Sequence, residues 1–393
     1  MTDAATRDRW RMTVEARALV LVTAVLVALG LAVLYSASAL QAVSTGSPGH
    51  YFVLRQAMGV AVGVVAFAVL AKLDAERWRR WAWPIMGLGL FLMLAVFVPG
   101  LNSFGKDYYG SRRYLFGGSL QPSEFAKFAL LVWVPMLIVK KGAAIRSVGK
   151  GLLPFAVVIG ALCILAVLEP DNSVALTYAL LTTVLLFVGG VRTSHVVIAG
   201  TVAALALGTV AYTQPYIQKR LRGFLAGEQC VDAPRTATEY QQYQSCVAVG
   251  SGGLLGVGFS QGNQQRGWLP LAYNDFIGSI IGEELGFVGL ASITLAFALY
   301  GWLGFRIARH ARSPYCSLLA IGLTFTTVFT AFVHLGVVIG LLPNTGLTLP
   351  FVSYGRSNLL LTLAMTGILV NIGSTRERVY GVAATDPLAP SLA

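Results

Sequence analysis

The chain has 393 residues, of which 56% are hydrophobic and only 12% charged, and it carries a formal net charge of +12. A mean hydropathy of +0.70 lies far above that of a soluble domain, so most of the chain belongs in lipid. Membrane topology and attraction to anionic headgroup lipids account for most of that charge, which makes nucleic acid a poor explanation of it.

The polar, charged N-terminal segment 1–16 runs without a small-residue cleavage site into an apolar stretch, the pattern of a retained signal anchor. A hydrocarbon core of about 30 Å needs roughly 20 residues per helix. Runs of that kind occur at 17–39, 52–71, 82–99, 123–139, 151–168, 173–190, 195–213, 277–303, 315–341 and 354–373. Rich in Ala, Leu, Val and Gly and without two-residue alternation, they suit close-packed helices rather than barrel strands. The expected fold is therefore an all-α integral membrane protein of about ten transmembrane helices, with a polytopic domain at 17–373 and a short disordered tail at 374–393. Lys and Arg number eighteen in one alternate set of connecting segments and eight in the other. That bias puts both termini in the cytoplasm, with one large extracytoplasmic loop, 213–276, between helices 7 and 8.

An ionisable side chain at mid-bilayer costs about 2.5–3.5 kcal/mol on insertion scales, so each one poses a functional question. The set is Arg55, Glu124, Lys127, Asp171, Glu283, Glu284, His334 and Arg356. Pro122 opens the fourth helix where its missing N–H costs nothing, and Glu124 and Lys127, three apart, share a face. They read either as a self-neutralising structural pair or with Lys127 turned, beside Arg112 and Arg113, into a cavity that receives an anion. In Glu169-Pro170-Asp171-Asn172-Ser173, Asp171 or Ser173 can cap the next helix, yet Asp171 also falls on the side that carries Arg112, Lys127 and Asp275.

Long loops that are not linkers tend to carry function, and 213–276 holds Lys219, Arg220, Arg222, a polar stretch Tyr240–Ser245 and a glycine run Gly250–Gly258. The glycines lack the Gly-Lys-Ser/Thr of a phosphate loop and suit a segment that bends at the membrane surface under protein cover. Cys230 and Cys246 share the loop, where an oxidising compartment permits a disulfide but equally allows two unpaired thiols. Neither they nor any other spacing forms a metal site. Asp275 stands at the loop's end, either as the cap of the eighth helix or as a catalytic carboxylate.

Together, Gly110–Tyr114, Gln121–Lys127, Glu169–Asp171, Tyr243–Ser245 with Gly250–Gly253, Asn274–Ile277 with Ile281–Gly286, and Gly340–Gly346 through Pro350–Gly355 resemble the SEDS family of FtsW, RodA and SpoVE. The resemblance spans roughly residues 20–373, with the motifs in order; Gly282-Glu283-Glu284 and Leu341–Gly346 lean toward the FtsW branch. It implies a peptidoglycan glycosyltransferase that polymerises lipid II on the outer face of the bacterial cytoplasmic membrane, for cell division or cell shape, beside a class B penicillin-binding protein. The family's catalytic aspartate maps onto Asp275, and its polar cavity onto Arg112, Glu124, Lys127 and Asp171.

Such chemistry asks for a carboxylate to deprotonate a sugar hydroxyl and for cations to hold a departing diphosphate. Asp275 suits the first task; Lys127 and Arg112 suit the second, with Arg113 and Arg356 behind them and Gln121 in the same motif. No cofactor is encoded, although a divalent cation, Mg²⁺ or Mn²⁺, can accompany the diphosphate. This chain has Pro270-Leu271-Ala272-Tyr273 where the family has Pro-Glu-Ala-His, Arg356-Ser357-Asn358 where it has Gly-Ser-Ser, and His334 in place of an amide. A lipid II flippase or a noncatalytic scaffold for a synthase are the competing readings.

Overall fold

The computed structural model describes residues 6–98, 114–115, 120–225, 230 and 237–380. Helices dominate: α1 (Val14–Ser44), α2 (Tyr51–Lys72), α3 (Arg77–Ala95), α4 (Pro122–Lys141), α5 (Leu153–Leu168), α6 (Asn172–Val188), α7 (Thr193–Thr213), α8 (Pro215–Leu225), α9 (Ala237–Gly252), α10 (Ile277–Arg309), α11 (Pro314–Val338) and α12 (Arg356–Ile372). Every apolar run read from the sequence contains a helix. Five of them, α1, α2, α4, α10 and α11, are long and apolar enough to cross a membrane.

Local chemistry fixes the helix ends. Thr13 caps α1 through Ala16 N–H (3.3 Å), Asp171 caps α6, and Ser313 caps α11 through Cys316 N–H (3.1 Å) just before Pro314. Helix α4 is apolar nearly all round and buried from Ala126 to Ile138, as a central helix should be. It packs against α3, α5, α6 and α11 in one core, while α1, α10 and α12 build a second. Outward faces keep exposed apolar side chains, among them Leu21, Val65, Phe91, Ile164 and Leu295, the pattern of a protein whose solvent is lipid.

Three expectations are corrected. The segment 213–276 is not a plain loop. It contains α8 and α9, and the polar stretch Tyr240–Ser245 is helical because Gln242, Ser245 and Ala248 form a buried face packed on α10 and α11. Part of the tail expected to be disordered is ordered: β2 (Ser374–Tyr380) pairs antiparallel with β1 (Thr6–Met12), and Thr13 N–H and hydroxyl both donate to Gly373 C=O, at 3.2 and 2.7 Å.

The third correction is that α10 is broken. Gly286 has φ 65° and ψ −160°, a region essentially reserved for glycine. The freed backbone groups are taken up by the glycine run: Val257 and Gly258 N–H donate to Glu283 and Glu284 C=O (3.0 and 3.1 Å), while Gly253 and Leu254 C=O accept from Phe287 and Val288 N–H (2.9 and 3.1 Å). Only glycine permits this approach, since a β-carbon at Gly252 would lie 1.9 Å from Gly282 C=O. Glu283 and Glu284 lie just before this break. Both are buried: Glu283 accepts from Asn263 and Gln264 N–H (2.7 and 3.2 Å), and Glu284 from the Ser36 hydroxyl of α1.

Candidate active site

At one end of the bundle the start of α4, the α5–α6 turn and the segment before α10 meet the α11–α12 connector, residues 339–355. The connector is held by paired polar groups. Ser353 accepts from Leu349 N–H (2.8 Å) and donates to Asn274 C=O (2.7 Å), and Tyr354 N–H donates to Tyr273 C=O (3.0 Å). Gln56 of α2 clasps the next turn, donating to Ser353 C=O at 3.1 Å and accepting from Gly355 N–H at 3.2 Å. Phe52, Tyr273 and Tyr354 pack mutually, with centroids 4.8 to 5.8 Å apart.

These bonds position Asp275. It is half-buried and faces Gly346, where a β-carbon would lie 3.8 Å from its Oδ2. The capping alternative does not describe it, because Phe276 occupies the cap position of α10 and no side chain caps that end. On the other side of the connector, Ser173 donates to Thr345 C=O (2.6 Å), bringing Asp171, two residues earlier and itself buried, to the residue preceding Gly346. Arg220 of α8 donates to Asn344 C=O (2.8 Å), and the Asn344 side chain accepts from Gly346 N–H (3.1 Å).

Glu124 and Lys127 form a closed, buried ion pair, with Nζ 2.7 and 2.8 Å from the two carboxylate oxygens. Asp171 and Glu124 approach each other through Tyr178, whose hydroxyl donates to Ser123 C=O (2.6 Å) within electrostatic reach of both. Gln121 N–H donates to the Ser357 hydroxyl (3.2 Å), so Gln121 and Arg356 come together at the joined starts of α4 and α12. The Arg356 stem lies against Gly59 of α2. Arg112 and Arg113 lie outside the described residues.

The sequence reading left out Arg220, Ser173 and Asn344 as site builders and left His334 without a role. The Arg220 signal was present as the cluster Lys219, Arg220 and Arg222. The disulfide question is answered by a Cys230–Cys246 bond, seated on Gly340 at the head of the connector. Among the described residues, no group of three or more His, Cys, Asp or Glu side chains converges as a metal cage.

The family model FTSW_RODA_SPOVE, described as "Cell cycle protein", matches residues 16–378. The chain belongs to this family. A relative from Trichlorobacter lovleyi named "Probable peptidoglycan glycosyltransferase FtsW" is 38% identical over 94% of this chain and 95% of its own length. Stage V sporulation protein E of Bacillus subtilis is 34% identical over 90% and 95%. Among solved structures, a chain described under "Structural coordination of polymerization and crosslinking by a peptidoglycan synthase complex" superposes with a TM-score of 0.72 at 27% identity, covering 91% of this chain and 97% of that one. The rod shape determining protein RodA of Thermus thermophilus does so with a TM-score of 0.65 at 26% identity, covering 91% and 95%. The sequence resemblance is thereby borne out, including its lean toward the FtsW branch.

Proposed function

We propose that this multi-pass membrane protein is a peptidoglycan glycosyltransferase, that its substrate is lipid II, and that Asp275 is its general base. The observation that carries the reading is the placement of a half-buried carboxylate against Gly346, on a connector that also gathers Asp171 and Arg220 and runs into the start of α12, where Arg356 and Gln121 meet. In the reaction Asp275 takes the proton of an acceptor sugar hydroxyl as that oxygen bonds the anomeric carbon of the donor. The bond to the polyprenyl diphosphate breaks in the same displacement, and its electrons leave on the diphosphate. Such a base contributes about 10²–10⁴-fold.

Developing charge on the diphosphate calls for cations. Arg356, Arg112 and Arg113 serve in our reading, with Lys127 able to join by exchanging Glu124 for phosphate. Asp171, the cap of α6, fixes the α5–α6 turn beside the connector. If a divalent cation accompanies the diphosphate, Asp171 and Asp275 are the carboxylates that would hold it, and it would neutralise charge on the leaving group.

All ten apolar helices span the bilayer in this proposal, both termini are cytoplasmic, and the Asp275 end faces outward in the bacterial inner membrane. The crosslinking partner is a class B penicillin-binding protein. The deciding experiment gives purified protein lipid II in detergent, with and without that partner, and resolves glycan chains on a gel. Asp275→Ala is expected to abolish polymer while keeping the thermal unfolding profile. Wild-type polymer yield from that variant would remove Asp275 from the chemistry, and lipid translocation in vesicles without any polymer would replace the enzyme with a carrier.

A further inference from the structure

At the end of the bundle opposite Asp275, a cleft of about 510 Å³ opens between the first turns of α3 and the last turns of α4, lined by Glu76, Arg79, Arg80, Trp83, Met136 and Lys140. Neighbouring acids are already engaged. Asp74 pairs with Arg312, Glu15 with Arg306, and Glu76 accepts from the Ser313 hydroxyl and the Cys316 thiol at the α11 cap. Arg79, Arg80 and Lys140 are exposed and form no ion pair with any described residue. Attraction between acids and bases on one protein surface should have consumed them, and here it has not.

The cleft is also two-toned along its depth. Trp83 follows Arg79 and Arg80 by four and three residues, and Met136 precedes Lys140 by four, so each helix presents its cation above an apolar side chain on one face. Trp83 is 51% exposed although its ring is fixed edge-on against buried Trp133, centroids 5.3 Å apart. Beyond it, α3 continues with exposed Leu88, Phe91 and Leu94. A cationic rim, an indole at interface depth and an apolar track below match a phosphate headgroup with its acyl chains.

We propose that this cleft is a binding site for an anionic glycerophospholipid of the leaflet at that end, the phosphate held by Arg79, Arg80 and Lys140 and the chains laid along α3 past Trp83. The chemistry of the rim would suit a free phosphate as well; the exposed apolar track favours the lipid. This proposal is independent of the glycosyltransferase reading.

The test uses the full chain in nanodiscs of phosphatidylcholine with increasing phosphatidylglycerol, reading bound anionic lipid by native mass spectrometry. Each charge-assisted contact to a held phosphate is worth about tenfold or more, so the triple variant R79Q/R80Q/K140Q should retain phosphatidylglycerol at least about a hundredfold more weakly. The matched triple R77Q/R146Q/R309Q, which removes the same charge from the same end outside the cleft, should stay near wild type. Equal loss in both triples would mean diffuse attraction and overturn the site, as would no loss in the first. Inorganic phosphate displacing the lipid at millimolar concentration would overturn the lipid assignment. In unaltered protein, phosphatidylglycerol with brominated chains should quench tryptophan fluorescence more than brominated phosphatidylcholine, and W83F should remove that difference; equal quenching by both lipids would sink the proposal even if the triple variant fails to fold.

Discussion

His334 bridges the first turn of α10 and the connector, the two segments beside Asp275. Its Nε2 accepts from Gly278 N–H (3.3 Å), which leaves Nδ1 as the donor to Leu347 C=O (2.9 Å). The neutral Nδ1–H tautomer thus pins the connector to the first turn of α10, one residue past Gly346. Leucine at this buried position leaves a donor and an acceptor unsatisfied, a loss of about 1–3 kcal/mol each. H334L is expected to lower thermal stability and polymer yield together. An amide of sufficient reach can donate and accept in the same places, so H334Q should recover most of both; recovery by leucine instead would show that the two bonds do not position the site.

At the scale of elements, the break in α10 is the least ordinary feature. A β-carbon at Gly286 would meet Gly256 N at 2.4 Å and Leu254 C=O at 2.6 Å on a backbone with φ 65°. G286A should therefore cost about 1–3 kcal/mol from the dihedral alone, read as a fall in the unfolding temperature in detergent. G200A, on α7 where nothing lies within 4 Å, should leave it unchanged. This break was not legible in the sequence, because hydropathy runs unbroken across 277–303 and the reason for it lies thirty residues earlier, in the glycine run that replaces the missing helical bonds. The ten apolar helices were legible for the complementary reason: a helix whose solvent is lipid must advertise its length as an apolar run. Helix α9 escaped because its buried face is made of Gln242 and Ser245, which bond Val337 and Val338 C=O at 2.6 and 2.8 Å and carry no hydropathy signal. The candidate site was half legible. Asp275, Asp171 and Lys127 came from motifs, whereas Arg220 and Ser173 act through backbone carbonyls of a connector whose path no spacing reveals.

For the whole molecule, two ties join distant parts of the chain. The Cys230–Cys246 bond closes a loop of 16 residues onto the head of the connector, and a crosslink over that distance is worth about 3 kcal/mol in the chain-entropy account. C230S/C246S should unfold at a lower temperature, and a reductant should bring the native protein down to the same value while leaving the variant untouched. No shift with reductant would mean that the bond contributes nothing to the fold. The other tie is the ribbon of β1 and β2 with its Thr13–Gly373 contact, which spans 360 positions. During synthesis residues 6–12 leave the ribosome before α1, and their partner strand follows only after α12. Helices α1 and α12 are therefore stitched together as translation nears residue 380, and a nascent chain arrested short of 374 presents quality-control proteases with an unsealed bundle.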